Sequence, residues 1–175
     1  AKNQYLDTRI KVAAVSYLNT KPLLYGIAHS EIANEIDMVV DYPAQLARRL
    51  QEGSIDMALL PVAAIPTIPG ARIVSDHGIA TDGNVVSVAI FSQVPIEQIK
   101  TIYPDYQSRT SVRLAQLLME HYWKLDVTYK PANEHYIDYI NGTNAGVIIG
   151  DRALQQLHNF EYVYDLSAVW KAYTG

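Results

Sequence analysis

Short runs of β-branched residues alternate with helical patterns along this chain, and this alternation is the strongest constraint on its fold. Residues 10–17 (IKVAAVSY), 37–41 and 55–60 (IDMALL) are predicted as strands. Between the last two, apolar residues within 43–50 follow the spacing of an amphipathic helix, which Gly53 is placed to end. Strands that alternate with helices are typical of βαβ units and a largely parallel sheet.

The alternation resumes after a proline-rich stretch, residues 61–70. Further strands are predicted at 72–74, 85–91, around 102, 127–130 and 146–149, and further helices at 110–123 and 136–140. Residues after Phe160 are expected to return to the first lobe. We therefore expect an α/β protein with mixed, mostly parallel sheets, flanking helices and a cleft between two lobes. The first lobe is predicted to comprise residues 1–92 and 160–175, and the second lobe residues 93–159.

The composition argues against several classes of function. The net charge is −4 and the 14 Lys and Arg residues are scattered along the chain. The sequence therefore lacks the basic stripe with which a protein binds nucleic acid. The absence of cysteine excludes disulfides, thiolate nucleophiles and cysteine metal sites. No apolar run reaches the roughly 18 residues of a membrane span, and the first residues do not resemble a secretory signal. We expect a cytoplasmic monomer or homodimer without a membrane partner.

Standard catalytic motifs are missing as well. The sequence contains no P-loop, dinucleotide fingerprint, GxSxG elbow or HExxH helix, so we expect no cofactor. Asp76, His77 and Asp82 lie around two glycines, but no second histidine stands at ligand spacing. This cluster indicates turns, and we predict no metal site.

Ligands of open α/β sheets bind beyond the carboxyl ends of the strands. This rule selects the residues just after Val15, Leu60, Val88 and Ile149, together with the helix start at Arg109. The ligand-binding candidates at these places are Tyr17, Thr20, Pro61, Val62, Arg109, Thr110, Ser111 and Asp151.

Two segments are the leading candidates for holding an anion. Asn19 lies between a strand and a helix, where its amide could hold a carboxylate or simply cap the helix. Residues 108–111 (SRTS) bring hydroxyls, helix N–H groups and a guanidinium together, although a well-capped helix with Arg109 in solvent is the alternative. Asp151 could orient a ligand, pair with Arg152 or cap a helix. Ser87 lies near the cleft if the strand prediction holds, and the alternative from pattern alone is an ordinary strand serine.

Five segments together resemble one enzyme family. They are VSYLNTKPL (15–23), GSIDMALLPVA (53–63), SDHGIATDGNVVSVAIFS (75–92), SRTSVRL (108–114) and GVIIGDRAL (146–154). They are similar to chorismate dehydratases, which act in the futalosine route to menaquinone in bacteria. The resemblance implies a periplasmic-binding-protein-like type II fold and a hydro-lyase that converts chorismate to 3-[(1-carboxyvinyl)oxy]benzoate. It also implies an apolar continuation beyond Gly175 that completes the first lobe.

The resemblance further implies roles for individual residues. Asn19 is expected to contact the reacting region of the substrate, Ser87 to contact the substrate, and Thr110 and Ser111 to bind a carboxylate next to Arg109. A substrate carboxylate is expected to assist proton removal, so that no protein base is required. Two alternatives stay open: the sister enzyme that forms 1,4-dihydroxy-6-naphthoate, which carries a histidine where this chain has Gly150, and a non-catalytic solute-binding protein for a small carboxylate.

Overall fold

A computed structural model describes residues 9–175, which form two compact units, one ending at Val74 and the other spanning Ser75–Gly175. The first eight residues of the predicted first lobe lie outside the described part. The lobe boundaries expected from the sequence, after residues 92 and 159, stay a prediction.

The first unit is built on a parallel sheet of three strands. Its elements are β1 (Ile10–Val15), α1 (Lys21–Ala28), β2 (Ile36–Asp41), α2 (Pro43–Gln51) and β3 (Met57–Ala58). The strand order is β2-β1-β3, and both pairings are parallel. The core consists of Ala13, Val15, Leu46 and Ile55, which come from the sheet, the apolar face of α2 and the residues before β3.

Helix α2 ends where its sequence predicts. Gly53 adopts a φ of 69°, and its N–H donates to the Leu50 carbonyl at 3.1 Å. Glycine reaches this left-handed conformation without the steric cost that a Cβ imposes, so it closes the last turn of the helix.

The second unit contains a mixed sheet of five strands in the order β6-β5-β7-β4-β8. Its elements are β4 (Val88–Ser92), β5 (Thr101–Tyr103), α3 (Arg109–His121), β6 (Thr128–Tyr129), β7 (Asn144–Ile149), α4 (Gly150–Gln156), β8 (Tyr162–Asp165) and α5 (Leu166–Thr174). Strand β5 is parallel to β6 and β7, whereas β4 is antiparallel to β7 and β8.

The core of this unit forms around the two central strands. Ala89, Phe91 and Ile148 of β4 and β7 pack with Tyr136, Ile140 and Ala153. Five of the six residues of β7 are buried, as expected for a strand covered on both faces. The α/β class with mixed, mostly parallel sheets is therefore confirmed.

Several predicted elements differ from those observed. Residues 72–74 form no strand, and the strand predicted at 55–60 shortens to β3. The strand predicted at 85–91 begins only at Val88, so Ser87 lies before it and is not a strand serine. The helix predicted at 136–140 is a single 3-10 turn, Tyr136–Tyr139. A short apolar run becomes a strand only where a neighbouring strand pairs with it, and local sequence does not report that neighbour.

Candidate functional site

The predicted site residues of the first unit follow two strands that end at the same edge of its sheet. Strands β1 and β3 are parallel neighbours, and they end at Val15 and Ala58. The segments that leave this edge carry Tyr17, Asn19 and Thr20 on one side and Pro61 and Val62 on the other. The strand-end rule therefore selects residues that the fold brings to one edge.

Asn19 is an exposed amide within a 3-10 turn, Leu18–Thr20, that precedes α1. Thr20 occupies the N-cap position of α1 without a side-chain cap hydrogen bond, and its N–H donates to the Tyr17 carbonyl at 3.1 Å. The interpretation of Asn19 as a helix cap is therefore wrong. Its side-chain oxygen accepts a long hydrogen bond from Thr20 Oγ1 at 3.4 Å, and the side chain remains at the surface, where a ligand can reach it.

The other predicted residues of this unit differ in exposure. Thr20 is buried, while Tyr17 is half-buried against the core of the unit. Pro61 is half-buried, and it precedes the 3-10 turn Val62–Thr67, of which Val62 is 75% exposed. Of these side chains, Val62 and Asn19 are the ones that solvent reaches most freely.

The predicted residues of the second unit also lie at one edge of its sheet. Ser87 immediately precedes β4, and its carbonyl accepts a hydrogen bond from Gly150 N at 2.7 Å, at the carboxyl end of β7. Strand β5 is parallel to β7 and leads to the start of α3, so that helix start lies at this edge too. Because β4 is antiparallel, its amino end lies here. The strand-end rule selected the residues after Val88, whereas the residues before Val88, including Ser87, are the ones that lie at this edge.

The start of α3 is capped by its own serines. Ser108 Oγ accepts a hydrogen bond from Ser111 N at 3.2 Å and donates one to Ser111 Oγ at 3.0 Å. Both serines are buried, Thr110 is half-buried and Arg109 is exposed. The cap takes up the Ser111 amide, so a ligand at this helix end is left with the amides of Arg109 and Thr110.

A cavity of about 290 Å³ lies in front of this helix start. Its wall includes Ser108, Arg109 and Val112 of the helix region, and Asp105 and Tyr106 of the preceding loop. A larger depression of about 560 Å³ is lined by Arg113, Tyr129 and residues around Lys124, and it contains none of the predicted site residues. The smaller cavity is the one that the predicted anion site borders.

A buried carboxyl group that sequence reasoning missed supports this cavity wall. The side chain of Asp105 has no exposed surface and forms an ion pair with Arg152, with Nη2 and Oδ2 2.6 Å apart. Asp105 Oδ2 also lies 2.8 Å from the hydroxyl of Tyr136, and Oδ1 accepts a hydrogen bond from Gln107 N at 2.7 Å. The loop before α3 is thus tied to α4 and to the 3-10 turn at Tyr136.

Burial dominates the electrostatics of this network. Desolvation raises the pKa of Asp105 above its usual value of 3.8, against the opposing effects of the Gln107 amide and the Arg152 charge. Burial, together with the nearby Asp105, raises the pKa of Tyr136 far above its ordinary range, so its hydroxyl stays protonated. The Arg152 guanidinium lies 4.9 Å from the centre of the Tyr106 ring, a cation–π distance. These groups hold the loop, and one nitrogen of the guanidinium, Arg152 Nη1, is buried without a hydrogen-bond partner among the described residues.

Asp151 lies in the first turn of α4 and is exposed, next to Arg152. The predicted cap position is wrong, since α4 begins at Gly150. Among residues 9–175, no group of three or more His, Asp or Glu side chains could hold a metal ion. Within the same range, none of the helices has the length and apolar character needed to cross a membrane.

Comparison with known proteins assigns a family. A family model described as menaquinone biosynthesis matches residues 10–175. The chain belongs to this menaquinone biosynthesis family. Membership confirms the expected role in menaquinone biosynthesis and indicates an enzyme.

Solved structures with a related chain path include two bacterial domains. A periplasmic substrate-binding protein of an ABC transporter from Coxiella burnetii has a TM-score of 0.48 and 14% identity, covering 80% of this chain and 71% of that chain. A mutant OxyR2 regulatory domain from Vibrio vulnificus has a TM-score of 0.46 and 14% identity, covering 91% of this chain and 82% of that chain.

Proposed function

We propose that this member of the menaquinone biosynthesis family is a chorismate dehydratase. It removes water from chorismate and releases 3-[(1-carboxyvinyl)oxy]benzoate. One ring C–H bond and one ring C–O bond break, the electron pair of the C–H bond completes the aromatic ring, and the proton and hydroxyl group leave as water. Because aromatisation supplies much of the driving force, the protein has mainly to position the substrate and stabilise developing charge.

The observation that carries this proposal is the set of groups at one edge of the five-stranded sheet. Ser87 and the start of α3 lie at that edge, and a cavity borders the helix start. Helix amides, a Thr110 hydroxyl and the exposed Arg109 suit a carboxylate of the substrate. Asn19 is proposed as a contact to the reacting region, and a substrate carboxylate as the group that assists proton removal.

Gly150 favours the dehydratase over the sister enzyme. Its φ of 63° lies in the left-handed region, and its N–H donates a hydrogen bond to the Ser87 carbonyl. A histidine at this position, as the sister enzyme carries, would be strained in the same backbone conformation. The glycine at this position thus supports the dehydratase proposal over the sister enzyme.

The direct test is incubation of the protein with chorismate, followed by mass spectrometry for an aromatic product lighter by one water. We expect Ser87→Ala and Asn19→Ala each to lower kcat by about 100-fold, the loss typical of removing one positioned polar contact. The matched controls are Ser75→Ala and Asn34→Ala, which remove exposed side chains of the same kinds. Chorismate that is bound but not converted would support a solute-binding protein instead, and full activity in both site variants would show that the assigned site is wrong.

A further inference from the structure

The residue before Ser87 has an unusual backbone conformation. Val86 has a φ of 64°, and Lys124 is the one other non-glycine residue with a positive φ within 9–175. Ser87 N donates to the Val85 carbonyl at 2.7 Å, which is the i to i+2 hydrogen bond of a γ-turn centred on Val86. A β-branched residue pays a steric cost in this region, so the turn persists only if its surroundings hold it.

The carboxylate of Asp165 holds this turn. Its Oδ2 accepts hydrogen bonds from Val85 N at 2.8 Å and from Val86 N at 2.6 Å. Two adjacent amides therefore point at one charged oxygen, an arrangement in which each hydrogen bond is strengthened by the charge.

The second oxygen of Asp165 has a separate task. Oδ1 accepts hydrogen bonds from Ser167 N at 2.9 Å and Ala168 N at 3.0 Å, and so caps α5. A helix cap needs one side-chain oxygen, which serine or asparagine supplies equally well. Capping of α5 accounts for Oδ1 but does not account for the two hydrogen bonds that Oδ2 accepts from the turn.

We propose that Asp165 is a positioning residue that holds Val86 in the left-handed turn and thereby sets the place of Ser87 in the substrate site. This inference rests on the proposed function of Ser87. The turn fixes Ser87 from its amide side, and the Gly150 N–H fixes it from its carbonyl side. With both backbone groups engaged, the Ser87 side chain is presented from a backbone that cannot rotate freely.

The alternative is that Asp165 acts only as a structural cap of α5. The variant Asp165→Ser separates the two roles, because the serine hydroxyl can still cap the helix but offers no second oxygen to the turn. We expect amide hydrogen exchange at Val85 and Val86 to accelerate in this variant. With chorismate as substrate, kcat/KM should fall by about 10- to 100-fold, as expected when a contact residue is misplaced.

A second substitution provides the decisive readout. Glycine adopts a positive φ without a steric cost, so Val86→Gly lets the turn form without the carboxylate. We expect the double variant Asp165→Ser with Val86→Gly to regain most of the lost turnover. A cap-only role predicts no such rescue, because Val86 does not take part in capping α5. The control is Asp82→Ser, which removes another carboxylate that contacts α5, through Lys171, and leaves the turn untouched.

The outcomes separate the two proposals. If wild-type protein does not convert chorismate, the proposed function fails, and the turn is judged on amide exchange alone. If exchange at Val85 and Val86 is the same in Asp165→Ser as in wild type, Asp165 does not hold the turn. If exchange accelerates while turnover of an active wild type is unaffected, or if glycine at position 86 restores nothing, Asp165 does not position Ser87.

Discussion

At the scale of single residues, Asp105 shows how burial and partners compete. The carboxyl group has an arginine, a tyrosine hydroxyl and a backbone amide around it, all of which favour its charged form. Complete loss of contact with water nevertheless dominates and raises its pKa. The folded protein therefore binds a proton at Asp105 more readily than the unfolded chain does.

This linkage predicts how stability depends on pH. An acid with a raised folded pKa contributes stability that is fully present below its unfolded pKa, here near 3.8, and is lost as pH rises through the folded value. We expect Asp105→Asn to cost about 2 kcal/mol near pH 4, because it leaves buried partners unsatisfied. The deficit relative to wild type should shrink as pH rises.

Urea unfolding between about pH 4 and pH 8 would measure this difference. The matched control is Asp138→Asn, an exposed carboxyl in the same 3-10 turn as Tyr136, which should change stability by less than about 0.5 kcal/mol. A deficit of Asp105→Asn that stays constant or grows with pH would contradict the raised pKa.

The residues that sequence reasoning found and those it missed differ in how far away their partners lie. Ser108 and Ser111 are three residues apart, which is the spacing between a capping side chain and the amide it accepts, so the local sequence predicts the helix start. Asp105 and Arg152 are separated by 47 residues, and Val85 and Asp165 by 80. Nothing in the local sequence around Asp105 or Asp165 marks either as a hydrogen-bonding centre, because the partners meet only after the sheet has formed.

At the scale of elements, those with strong periodicity or buried runs were predicted best. Helices α2 and α3 and strands β2 and β7 lie within a few residues of their predicted bounds. Short elements were predicted poorly, as at residues 72–74, because a three-residue run carries no period to test. The turn at Val86 was missed for a different reason. Valine favours extended backbone, and its positive φ here goes with hydrogen bonds from the turn to the distant Asp165 carboxylate, which local sequence does not reveal.

The cap of α3 supplies a prediction at this scale. We expect Ser108→Ala to lower the free energy of unfolding by about 1 kcal/mol, because the Ser111 amide loses its side-chain acceptor. The matched control is Thr110→Ala, which removes a hydroxyl from the same helix turn without touching the cap. Urea unfolding without ligand measures both variants, and an equal loss in the two would show that the Ser108 cap has no special part in stability.

At the scale of the whole molecule, the boundary between the two compact units, after Val74, falls in a long irregular segment. Residues 71–87 contain no helix or strand, and Ile73 and Val74 are 74% and 69% exposed. Arg72 is the only lysine or arginine between Arg49 and Lys100. We expect limited trypsin digestion to cut first after Arg72, because cleavage favours exposed backbone that few hydrogen bonds protect.

Mass spectrometry of the first fragments would check this expectation. The variant Arg72→Gln should remove the early cut and leave the later digestion pattern in place. A first cut within α2 or α3, at Arg48 or Arg113 for example, would mean that these helices open more readily than residues 71–87.

The Asp165 carboxylate also has a consequence for the order of events during synthesis. A ribosome makes Ser87 well before Asp165, which lies 80 residues beyond Val85. Before Asp165 has been synthesised, no carboxylate accepts the Val86 N–H, and we expect Val86 to keep the extended conformation that valine prefers. A nascent chain interrupted before β8 therefore carries the Val85 and Val86 amides without the carboxylate that accepts their hydrogen bonds.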